Sequence, residues 1–183
     1  MTMIDTMHHT PDTGLELKVN GSLLAVGRRP KLSELEPALR SVALSDSPVL
    51  IRAEPQDASW MIERLHQMGR RAQLPCRSCH TDAEACALFE AIVEANDVSD
   101  DSLGTWALFN VHWWAEDKQR RLFDVLGVLD ENRLHGRLRH ERIPRVVVTV
   151  SPDLKKTKLL PELEQRLSYF KLSATNTRPH GEN

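Results

Sequence analysis

The sequence predicts an α/β fold, a three-layer sandwich with a mainly parallel sheet covered by helices on both faces and a small β-hairpin ahead of it. Three observations lead there. Short apolar or β-branched runs recur at residues 48–52 (PVLIR), 104–111 (GTWALFNV) and 145–150 (RVVVTV), too hydrophobic for strands with one solvated face. Between them lie segments whose apolar residues repeat at three and four, the helical period. Strands that alternate with helices pair in parallel, because each helix carries the chain back to the end where it started.

Taken in order, residues 15–26 read LELKV-NG-SLLAV. Alternating apolar residues around Asn20-Gly21 signal a hairpin, since both central residues of a type I′ turn need positive φ. Residues 30–44 carry Leu32, Leu35, Leu39 and Val42 at helical spacing, with Pro37 acceptable only as a kink or restart. After the strand at 48–52 comes a loop and a helix over 58–68, with Met61, Ile62 and Leu65 on its inner face. A short strand is expected at 74–79, then a helix at 82–94 burying Leu88, Phe89 and Ile92, and an acidic turn at 96–103. The strand at 104–111 leads to the clearest helix, 115–131, with Leu122, Val125, Leu126 and Leu129 inward. A polar hairpin around Gly136 spans 133–144. The strand at 145–150 follows, then a helix at 159–167 and a strand at 169–172. The expected organisation is a flexible start (1–14), the hairpin (15–29), one α/β domain (30–172) and a disordered polar tail (173–183).

At 183 residues the chain fits one domain with a sizeable core. Hydrophobic residues at 40% and charged residues at 27% are ordinary for a globular protein, and a net charge of −2 argues against general binding of nucleic acid. No apolar run approaches the ~20 residues that span a bilayer, and MTMIDTMHHT lacks the regions of a secretory signal. The expected compartment is the cytoplasm, where three cysteines stay reduced.

The stretch after the first central strand is the most informative. A phosphate-binding loop needs glycines whose backbone N–H groups face the phosphates, and a Lys for the β/γ oxygens. In that frame stand Ala53, Glu54, Pro55, Gln56, Asp57, Ala58 and Ser59. Both glycine positions carry a Cβ, Pro55 has no N–H to donate, and Ser59 occupies the lysine position. Glu54 and Asp57 would each repel a polyanion by on the order of 4 kcal/mol before screening, at ~4 Å and an effective dielectric near 20.

Several blocks then line up, in order, with one family. PKLSELEPALRSVALSDSPVLIRAE, GTWALFNVHWW, QRRLFDVLGVLDENRLHG, RVVVTVSPDL and LLPELEQRLSYFKL together resemble the AAA+ central domain of bacterial sigma-54 activators, the enhancer-binding proteins, over roughly residues 31–172. The resemblance implies a P-loop NTPase core without its helical lid. It places the Walker A Lys on Ser59, the metal-holding Walker B Asp on Phe109, the water-positioning Glu on Asn110 and the sensor I Asn on Ser151. Of the two arginines that reach a neighbouring subunit's nucleotide, the first falls on Leu160 and the second on Arg166. Phe cannot ligate a hard cation and an amide cannot act as a base. The implied protein is a retired ATPase without a cofactor, acting in transcription regulation on a protein partner, either a working AAA+ relative or itself. Weak nucleotide turnover by altered chemistry is the alternative.

Other chemistry is sparser. Cys76-Arg77-Ser78-Cys79-His80 spells a haem c attachment pattern, which requires export. Cys76, Cys79, His80 and Cys86 have spacing that suits tetrahedral zinc, or they are two buried thiols and an exposed imidazole. Trp113 and Trp114 either line a pocket, anchor an interface or cap the core. Arg133, Arg137, Arg139, Arg142 and Arg145, with Lys155, Lys156 and Lys158, form a basic ribbon expected to be a solvated face.

Overall fold

The structure is a computed structural model that describes residues 14–19 and 22–26 as backbone, together with 39–93, 104–135, 143–153 and 158–175. The Asn20-Gly21 turn, the start of the first helix, the acidic turn, the middle of the polar hairpin with Arg137, Arg139 and Arg142, Lys155, Lys156 and residues 176–183 lie outside that set.

Among the described residues seven strands, β1 (Gly14–Val19), β2 (Ser22–Val26), β3 (Val49–Arg52), β4 (Cys76–Cys79), β5 (Thr105–Leu108), β6 (Arg145–Val150) and β7 (Phe170–Thr175), form one sheet in the order β2-β1-β7-β3-β6-β5-β4. From β7 to β4 every pairing is parallel. The hairpin is not a separate ribbon. β1 lies antiparallel on β7, with Leu17 opposite Leu172, so the edge of β7 is covered rather than left as a row of unpaired groups. That pairing also carries β7 to Thr175, opposite Gly14, into the stretch expected to be tail.

Among the described residues four helices, α1 (Pro55–Met68), α2 (Asp82–Val93), α3 (Glu116–Leu134) and α4 (Pro161–Leu167), cover the sheet, with a helical segment at residues 39–44. Alternation along the strands divides the core. Leu50, Trp106, Leu108, Val146 and Val148 pack under α2, α3 and α4. Val49, Ile51, Ala107, Val147 and Leu172 face the 39–44 segment and α1. Periodicity placed α1 from Ala58, but it starts at Pro55, because proline's fixed φ suits the first helical position and Asp57 favours the first turn.

The amino ends of the strands are tied by arginines. Arg145, 2% exposed, donates to the carbonyls of Ala43 (2.9 Å) and Val42 (2.5 Å), the last acceptors of the 39–44 helix. Arg71 is ion-paired with Asp46, and Arg133 donates to the Asp46 carbonyl at 2.7 Å. The described ends of the supposed basic ribbon are therefore not a solvated face. Gly104 is required where it stands: at φ +107°, an added Cβ would lie 2.1 Å from the Pro75 carbonyl oxygen.

Candidate functional site

The carboxyl ends of the strands, where open α/β sheets bind ligands, hold most of the residues singled out above. At the tip of β3 only Ala53 and Glu54 separate strand from helix. The expected loop is thus replaced by the first turn of α1. Ala53 and Ala58 are 4% and 1% exposed and pack with Met61, Ile62 and Phe109 in one apolar cluster. Ser59 faces outward and donates its hydroxyl to the Pro55 carbonyl at 2.8 Å, so it is held by its own helix.

Phe109 follows β5 and is buried. Its N–H donates to the Cys79 carbonyl at 2.8 Å, and His80 stacks on its ring with centroids 4.6 Å apart. Asn110 turns the chain out of the strand in the left-handed region (φ 55°, ψ 39°), where Asn is tolerated better than most residues; its N–H donates to Thr149 Oγ1 at 3.0 Å. Ser151, just past β6, accepts from the Asp153 N–H at 3.2 Å.

The four candidate zinc ligands do not come together. Cys76 and Cys79, three apart on a strand, point to opposite faces: Cys76 is exposed, Cys79 buried. His80 is taken up by Phe109, and Cys86 sits partly buried on α2. Burial, then the charge of Glu84, pushes the Cys79 thiol up to about 11, far from the thiolate a metal needs. Among the described residues no group of three or more His, Cys, Asp or Glu side chains could hold a metal ion.

After Asn110 a short 3-10 helix (Val111–Trp113) presents the tandem tryptophans on opposite sides. Trp113 is 74% exposed, whereas Trp114 is 8% exposed and packs edge-on against Phe89 at 6.4 Å. Trp114 is thus core, not interface surface. Beside them opens a cavity of about 560 Å³, lined in part by His112, Gln119 and the 158–161 segment. Arg166 lies against its own chain: its guanidinium sits 4.3 Å over the Phe123 ring, and Nη1 is 3.7 Å from Asp130 Oδ2.

Two further side chains were not singled out from the sequence. Arg52 ends β3 buried, bonded to Glu164 Oε1 at 2.5 Å, with Lys171 3.2 Å from the same oxygen. His112 is 3% exposed, and neither ring nitrogen has a partner among the described residues. Burial, then the charge of Arg52, holds its imidazole below the usual histidine range. A charged residue closing an apolar strand, as in VLIR, was the available signal for Arg52; nothing local marked His112.

No family model and no curated protein matches the chain. Solved structures do. The P-loop NTPase domain of the sigma-54 transport activator from E. coli superposes with a TM-score of 0.52 at 17% identity, over 83% of this chain and 99% of that one. NtrX from Brucella abortus gives 0.55 at 18%, over 81% of this chain and 36% of NtrX. NtrX in complex with ATP gives 0.53 at 17%, over 78% and 34%. The chain has the P-loop NTPase-like fold of these domains and spans about a third of NtrX. No described helix is long and apolar enough to cross a membrane.

Proposed function

We propose that this chain is a non-hydrolysing AAA+-like module that works in transcription regulation by protein contact. The observation that carries the proposal is the closed tip of β3: Ala53, Ala58 and Phe109, which hold the frame positions of phosphate loop and metal ligand, are buried in a single apolar cluster. Bringing a triphosphate and a divalent cation among these side chains would strip both of water with no compensating donor or carboxylate. Asn110 in place of the acid leaves no base to orient water. What such a domain retains is its surface, and Trp113 is a large exposed aromatic of the kind that anchors interfaces. The partner is a working AAA+ relative or a second copy, met on the face bearing Trp113 and the Arg166 edge.

The test is sedimentation of the purified chain alone and mixed with a functional sigma-54 activator domain. A complex in either sample that Trp113→Ala weakens is the expected result. A strictly monomeric chain that leaves the activator domain unshifted contradicts the proposal.

A further inference from the structure

The sheet has two edges, and the chain treats them differently. β4 closes one side with four residues, CRSC, and carries Arg77 on the edge strand itself. Short strands and charged side chains are the usual means of keeping an edge from pairing. β2 closes the other side with five residues, SLLAV, and has neither a charged residue nor a proline. In an antiparallel ladder alternate residues turn their N–H and C=O groups away from the partner strand. β2 therefore presents a row of backbone donors and acceptors that no strand meets among the described residues. The hairpin covers the edge of β7 with β1, but it moves the open edge outward rather than removing it.

The register of the hairpin selects a partner. Leu24, the middle residue of β2, pairs with Leu17, while Leu23 and Ala25 lie opposite Lys18 and Glu16. With Leu24 on a two-fold axis, β2 runs antiparallel to the β2 of a second copy. Leu23 then stands opposite Ala25 of that copy, and Ser22 opposite its Val26. All five residues of the strand pair, and each outward N–H meets an outward C=O across the axis. A row across the joined sheet runs from Lys18 through Leu23 and the second copy's Ala25 to its Glu16, with opposite charges at the ends. An axis at Leu23 would end its central row in two lysines, and one at Ala25 in two glutamates. Charge and backbone pairing thus favour the same register. The ends of a row are three strand spacings apart, about 14 Å and beyond a Debye length, so the charges bias the register while the backbone supplies the affinity.

We infer that this chain associates with a second copy of itself through β2, giving one sheet that continues through both molecules. This interface is separate from the face proposed above and does not depend on it: β1, β7, β3 and β6 lie between β2 and β5, the strand that Trp113 follows.

Sedimentation equilibrium of the full chain tests it. Strand addition over so short an edge buries less than a standard interface, so the dimer should dissociate at about 0.1 mM. Leu23→Lys/Ala25→Lys sets lysine opposite lysine on both sides of the axis and should weaken association by about tenfold or more. Leu23→Glu/Ala25→Lys sets glutamate opposite lysine instead, and suits Lys18 and Glu16 within each hairpin, so it should associate at least as well as the parent. Trp113→Ala should leave this association unchanged. Thermal melts show which variants keep the fold. If the first double variant loses it, the second decides alone, since a folded Leu23→Glu/Ala25→Lys chain that no longer associates overturns the inference. A parent chain that stays monomeric up to about 1 mM overturns it too, leaving the edge to another segment of this chain or to a different protein. Equal association of the two double variants has the same force. Association that Trp113→Ala abolishes would belong to the Trp113 face and would contradict pairing through β2.

Discussion

Two buried arginines finish the sheet at opposite ends, and they do so differently. At the amino ends Arg145 has both terminal nitrogens on backbone carbonyls, with the Asp46–Arg71–Arg133 group beside it. At the carboxyl ends Arg52 has one bond to a half-exposed carboxylate, while its Nε and Nη1 lack partners among the described residues. Burial pulls Arg145 down to about 10, with the Arg71 charge adding to the fall, yet the guanidinium stays charged at neutral pH and clamps the helix end. The amino end is built for stability. The carboxyl end combines a hydrocarbon plug at β3 with a buried arginine held by a single side-chain partner.

Substitutions at the two ends test this contrast. The largest effect belongs to Phe109→Asp, which restores an acid at the Walker B position. It leaves a cavity and a buried charge and should cost about 5 kcal/mol in denaturant unfolding, without conferring magnesium-dependent phosphate release. Arg145→Met leaves the Val42 and Ala43 carbonyls unpaired and should cost about 3 kcal/mol. Arg52→Met at the other end should cost about 1 kcal/mol or less, because Glu164 still reaches solvent and Lys171. Equal costs for the two arginines would erase the distinction between the ends.

Acid should act at both ends of the sheet, through His112 at the carboxyl end and through His66, bonded to Thr105 at the start of β5, at the amino end. A buried His112 with a lowered folded pKa binds its proton more readily when unfolded, and so does His66, lowered chiefly by burial. Stability is therefore full above about pH 6.5 and falls as pH drops through that value toward the folded pKa values. His112→Leu should flatten this decline in thermal melts taken from pH 7.5 to 5. Burial alone would raise Glu164, but the Lys171 hydrogen bond and the Arg52 charge outweigh it and leave its pKa below the usual value. Its contribution is present above about pH 4.3 and is lost below, so Glu164→Gln should lower stability by a constant amount from pH 7.5 to 5, with the difference closing in melts taken below about pH 4. The smallest effect is expected of Gly127→Ala. The added Cβ would meet Arg166 Nη1 at 2.9 Å, a movable side-chain end, against a helix-propensity gain of about 1 kcal/mol. Net stability should shift by less than about 1 kcal/mol, and any change in self-association would report on the Arg166 edge.

The layered fold was legible because its signals are local. RVVVTV is a strand at the residues expected, and Leu122, Val125, Leu126 and Leu129 are buried as their spacing implied. The closed tip was legible in part: the missing glycines and lysine could be read, but not that α1 would reach back to Pro55. The cavity was not. Gln119 reaches across the chain to Lys158 and Leu160, and no local pattern encodes such a contact. A Trp pair likewise does not say which ring turns inward; Phe89, on another helix, decides it. Arg145 read as part of a charged ribbon because its carbonyl partners lie about a hundred residues earlier.

The hydrocarbon at the end of β3 should keep nucleotide out. Calorimetric titration of the intact chain with ATP, with and without magnesium, should give no saturable heat up to about 1 mM. Saturable, magnesium-dependent binding at micromolar ATP, lost on Ser59→Ala or Asn110→Ala, would contradict it.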